Sequence, residues 1–126
     1  MGTGTELGRV RGLGAAKGGA HHWMQHRATA IGNVILFAWF VTSLLRLPNL
    51  RHETVIDWLR QPVAAIPMLL LIGSVFWHFR LGMQVMLEDY VHNEGTKLFS
   101  LLALKLYVIA GAVTAVFCVL KIAFGA

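Results

Sequence analysis

His78 stands in the middle of the run Trp77 to Tyr90, WHFRLGMQVMLEDY, an apolar stretch that closes on Glu88, Asp89 and Tyr90. An ionisable side chain inside a membrane-length helix costs roughly 2.5 kcal/mol or more, so such residues are usually kept for function. Three kinds of chemistry suit it: a hydrogen bond across a helix interface, axial ligation of a haem iron, or a place in a proton relay. At 100° per residue, Ser74 and Gly82 lie one turn to either side of His78 on the same face, and Asp89 returns to within about 20° of it if the helix persists. Small neighbours serve two of these readings, since they let another helix approach and let a flat macrocycle reach an imidazole nitrogen.

Asp89 and Tyr90 fall where the apolar run meets water. Tyrosine is common at that level as an aromatic anchor. A phenol O–H is also a suitable donor to a quinone carbonyl, and an adjacent carboxylate can orient it or pass protons. Arg27 begins the segment Arg-Ala-Thr-Ala-Ile, where a guanidinium either anchors the inner end of a helix or pairs with carboxylates such as haem propionates. His21 opens the same end of the chain. Arg80 lies about 200° around its helix from His78, and Lys105 sits at a similar depth on the following helix. The simplest account of both is that they snorkel to nearby headgroups; the functional alternative is that Arg80 meets an acidic group or a propionate.

The elements that must hold these residues are legible in composition. Of 126 residues, 56% are hydrophobic and 13% charged, which is too apolar for an ordinary soluble domain. Apolar runs at about 28–47, 63–87 and 98–124 each reach the roughly 20 residues that a helix needs to cross the hydrocarbon. The expected fold is therefore all-α, a membrane protein with three transmembrane helices. Residues 1–20 form an expected flexible, basic, glycine-rich tail carrying Arg9, Arg11 and Lys17, and residues 21–126 the three-helix anchor. The first run is followed by Leu45-Arg46-Leu47-Pro48 rather than a small-residue cleavage site, so it is read as a retained span.

The Arg46 to Pro62 connector is expected to carry a short interfacial helix over Glu53 to Leu59, with Trp58 at headgroup level. The connector at about 88–97 is short, which makes the second and third spans antiparallel neighbours. Arg9, Arg11, Lys17, Arg27 and Lys97 slightly outnumber Arg46, Arg51, Arg60 and Lys121 on the other side, which favours the N-terminus inside and the C-terminus outside. That topology sets Arg27 and Tyr90 at one membrane face.

Cys118 is the only cysteine, so an internal disulfide, a four-cysteine cluster and C-x-x-C-H haem attachment are all excluded. His21, His22, His26, His52 and His92 are expected at or beyond the apolar boundaries, out of reach of His78. A haem with two histidine ligands would then need its second from another polypeptide. The net charge of +5 is spread over both faces and is better matched to anionic lipid than to nucleic acid.

Two motifs occur in order: H-R-A-T-A-I from His26, and H-x-x-x-G-M-Q-V-x-x-E-D-Y-V from His78. With three spans and this length, they resemble the smaller hydrophobic anchor of succinate dehydrogenase, respiratory complex II, over about residues 19–126. The resemblance implies a b-type haem shared with a second hydrophobic anchor subunit, with an iron-sulfur subunit and a flavoprotein subunit docked on the inner face. FAD and the iron-sulfur clusters belong to those partners, and electrons from succinate reach ubiquinone at the anchor boundary. By the same resemblance His78 is an axial haem ligand, Tyr90 hydrogen-bonds the quinone, Asp89 supports Tyr90, and Arg27 lies near the haem propionates and the quinone pocket. The position matching His21, or its neighbour His22, lies near the haem edge. The chain is then a non-catalytic subunit of an oxidoreductase, expected in a bacterial inner membrane because no long serine-rich transit segment precedes the first span. Competing readings are the anchor of a fumarate reductase or another cytochrome b complex, and a small transporter or channel subunit in which His78, Arg80 and Lys105 line a polar path.

Overall fold

Backbone groups have no water to bond inside a bilayer, so an apolar segment must close its hydrogen bonds within itself as helix. The computed structural model describes residues 6–7 and 19–125, and in that region every regular element is helical. The order is α1 (Gly19–Arg46), α2 (His52–Arg60), α3 (Pro62–Tyr90) and α4 (Glu94–Ala123). Helices α1, α3 and α4 are long and apolar enough to cross a membrane. At 28, 29 and 30 residues they run well past the hydrocarbon at one or both ends.

The expected spans are correct in number and order and short in extent. Helix α1 begins nine residues before the apolar run, because hydropathy marks the lipid-facing part of a helix and not its polar ends. The N-terminal turns are held by helical geometry and by a pair one turn apart, Gln25 Nε2 to His21 Nε2 at 3.0 Å. The expected tail otherwise falls outside the described residues. The connector foreseen at 88–97 contracts to Val91, His92 and Asn93. The Val91 N–H closes α3 on the Leu87 carbonyl, and the Asn93 side chain accepts from the Thr96 N–H at 3.1 Å to start α4.

Helix α2 covers the segment foreseen for a short interfacial helix. Asn49 prepares it by accepting from the Arg51 N–H at 3.1 Å and from the Thr54 hydroxyl at 2.6 Å. Trp58 stacks on Trp39 of α1 with centroids 5.8 Å apart, which ties α2 to the far end of the bundle.

Helix α3 is the middle of the molecule. It packs against both α1 and α4, while α1 and α4 do not pack on each other. At the α3–α4 seam the backbone of Gly111 lies so close to Phe76 that a Cβ there would fall 2.8 Å from the ring. At the α1–α3 seam a Cβ on Gly32 would fall 3.3 Å from Ser74 Oγ. Small residues at crossing points are how membrane helices gain contact where burial from water offers no drive. Only seven apolar residues are buried among the described residues, so most of the apolar surface faces outward. That surface suits lipid and partner subunits.

Candidate functional site

His78 lies in the α1–α3 seam, half-buried. Its Nδ1 is 3.1 Å from Thr29 Oγ1. Thr29 Oγ1 is also 2.9 Å from the Gln25 carbonyl and 3.0 Å from the His26 carbonyl on its own helix. One turn away on α3, the Ser74 hydroxyl donates to the Thr29 carbonyl at 3.3 Å. The interhelical hydrogen bond considered from sequence is thus present, and it occupies one ring nitrogen. Nε2 of His78 has no hydrogen-bond partner among the described residues. Toward the end of α3, Gly82 has open space where a Cβ would project.

The placement of His26 corrects the histidine census made from sequence. Its ring lies 4.6 Å from that of His78, tilted by 36°. The early start of α1 carries it into the span, at the level of His78. The two rings are in direct contact, so no slot for a macrocycle remains between them, and His26 does not supply the opposing axial ligand in this arrangement. Further along the same side of α1, Asn33 keeps a buried Oδ1 with no hydrogen-bond partner, the only such side-chain atom among the described residues. Thr29 and His26 are the site residues that sequence reasoning missed, although both belong to the H-R-A-T-A-I motif.

The antiparallel register that joins Thr29 to His78 also sets Arg27 at that level. Tyr90 is twelve residues further along α3, about 18 Å away along the axis. Arg27 and Tyr90 thus lie at different depths in the same half of the bundle. Arg27 is exposed, with its guanidinium 5.1 Å from the Trp23 ring centroid. Tyr90 is 79% exposed at the end of α3, beside an exposed Asp89, and neither side chain has a hydrogen bond among the described residues. His21 is exposed and engaged with Gln25, and the neighbouring His22 is half-buried.

Arg80 and Lys105 share a different groove, on the α4 side of α3 and away from His78. It measures about 360 Å³, and its walls include Phe76, Trp77, Val108 and Ile109. The Arg80 guanidinium lies 5.2 Å from the Trp77 ring centroid, one turn toward the start of α3. It leans back over that turn, as helical side chains do.

Among the described residues no group of three or more His, Cys, Asp or Glu side chains converges, so the chain offers no closed protein cage for a bare metal ion. A haem needs only axial ligation and a flat clearance, and the half-buried His78 with one unengaged nitrogen and the open space at Gly82 fit one side of such a group.

Three membrane-length helices with a polar seam at one histidine define a multi-pass membrane anchor. The chain belongs to the succinate dehydrogenase/fumarate reductase transmembrane subunit family, which it matches over residues 1–119. It is 33% identical to the succinate dehydrogenase hydrophobic membrane anchor subunit of Rickettsia bellii over 113 residues, covering 83% of this chain and 90% of that one. The succinate dehydrogenase membrane anchor subunit of Reclinomonas americana is 32% identical over 97 residues, covering 74% of this chain and 80% of the relative. A similar protein from Rickettsia conorii is 30% identical over 87 residues, or 68% and 69% of the two chains.

Proposed function

We propose that this chain anchors a succinate:quinone oxidoreductase in a bacterial inner membrane, supplies one axial ligand to a b-type haem, and completes a ubiquinone site. The observation that carries the haem part is the half-buried His78, one nitrogen bonded to Thr29 and the other without a partner among the described residues, with open space one turn along α3 at Gly82. The haem supplies a one-electron carrier within the membrane. His78 would hold the haem from the α3 side, and a residue of the second hydrophobic anchor subunit would complete its site. Arg27, at the level of His78 and open to solvent or partner, pairs with the propionates. His21 stands further out toward the same edge.

Tyr90 and Asp89 act at the membrane boundary. The phenol donates to a quinone carbonyl, and the carboxylate beside it orients the phenol or relays protons from water. Their exposure in the isolated chain suits a site finished by other subunits. The iron-sulfur and flavoprotein subunits, which carry FAD and the clusters, dock at this end and deliver electrons from succinate.

The test uses the assembled complex. Tyr90→Phe removes the donor and keeps the ring, so quinone reduction should fall while succinate oxidation with an artificial acceptor stays near wild type. An equal fall in both would show failed assembly and sink the quinone assignment. Replacing His78 should change or abolish the b-haem absorbance, and an unchanged spectrum would refute the ligand assignment.

A further inference from the structure

The H-R-A-T-A-I segment and the histidine motif lie forty-nine positions apart at their point of contact, and a single side-chain hydrogen bond joins them, Thr29 to His78. The proton inventory at that contact decides its direction. Thr29 has one hydroxyl proton and three neighbours: the Gln25 carbonyl at 2.9 Å, the His26 carbonyl at 3.0 Å and His78 Nδ1 at 3.1 Å. Carbonyls can only accept, so the hydroxyl proton serves them, and the remaining contact closes when Nδ1–H donates to Oγ1. The reverse assignment would move the imidazole proton to Nε2, which has no acceptor among the described residues, and an unmet N–H at membrane depth is costly.

We infer that Thr29 is the positioning residue of His78: it holds the ring as the Nδ1–H tautomer and leaves the Nε2 lone pair free for iron. The inference rests on the haem reading above. A hydroxyl that donates along its own helix is polarised into a better acceptor, so it holds the imidazole N–H and fixes the ring's orientation. Thr29 is held in turn by the Ser74 hydroxyl at its carbonyl, and the glycine at position 32 lets the two helices come this close. The His26 ring lies against His78 and limits its rotation. The threonine of the first motif thereby gains a defined task toward the second.

The experiment compares Thr29→Val and Thr29→Ser in the assembled complex. Valine keeps the shape and removes the acceptor, whereas serine keeps the acceptor and removes a methyl. Haem per flavin, the haem midpoint potential and the low-spin ferric resonance are read together. Thr29→Val should retain haem roughly 10-fold less tightly, shift the midpoint potential as the ring loses its fixed orientation, and broaden or shift the ferric signal. Thr29→Ser should stay close to wild type. A valine variant with wild-type potential and spectrum overturns the inference, and so does a serine variant as impaired as valine, which would assign the effect to packing. A His78→Gln complex run in parallel separates the two levels: unchanged haem there refutes the haem reading itself, whereas altered haem in His78→Gln with unaltered haem in Thr29→Val refutes only the role of Thr29.

Discussion

Gly82→Leu distinguishes space kept for a cofactor from space left over in packing. A Cβ built on Gly82 meets nothing within 4 Å, so a side chain can start from this position without a clash at its first carbon. A helix interior moreover gains about 0.5 to 1 kcal/mol when glycine is replaced. The bundle should hold or become slightly firmer. A leucine at this position leans over the turn on its N-terminal side, and that turn carries His78. The side chain then stands in the clearance through which a macrocycle would reach Nε2. A misfit of that kind in a close-packed site costs about 1–3 kcal/mol, equivalent to between fivefold and roughly 150-fold in haem retention. The assay is haem per covalently counted flavoprotein in purified complex, alongside its thermal midpoint. Full haem occupancy with a wild-type potential would refute the reasoning, because it would place the ring elsewhere than at the Gly82 side of His78.

Two further outcomes probe the scaffold. Gly111→Ala sets a Cβ 2.8 Å from the Phe76 ring, which should destabilise the α3–α4 seam by about 1–3 kcal/mol less the small helical gain. Adding Phe76→Leu should recover most of the loss in thermal midpoint. Asn93→Ala removes the cap on Thr96 N–H, worth about 1 kcal/mol, and should speed amide exchange in the first turn of α4 about fivefold without changing quinone reduction.

The three spans and the short helix at Trp58 were readable because the apolar runs and the proline-flanked connector state them directly. The histidine at the seam was readable for the same reason: a polar residue in such a run stands out. His26 and Thr29 were hidden by the same criterion. They lie where α1 is already helical and not yet strongly apolar, and hydropathy ends an element where lipid contact ends. Only the register of α1 against α3 brings them to His78, and register is a tertiary fact that one helix cannot state. The separation of Arg27 from Tyr90 has the same origin. Sharing a side of the membrane follows from topology, but the depth of each residue follows from where the helices cross. The contact of Arg80 with Trp77 has a local origin, the direction in which a helical side chain leans.

Helices α1 and α4 do not pack on each other and meet only through intermediaries: α3, which packs on both, and α2, which packs on α4 and stacks Trp58 on Trp39 of α1. The three-residue link joins α3 and α4 into a hairpin whose closure is local and needs no help from α1. Helix α1 is held to that hairpin by polar contacts at Thr29 and Ser74 and, through α2, by aromatic stacking at Trp39. The His78 seam is thus the joint between α1 and the hairpin. A partner subunit that docks on α1 would move the wall of that joint while the hairpin holds the other side still.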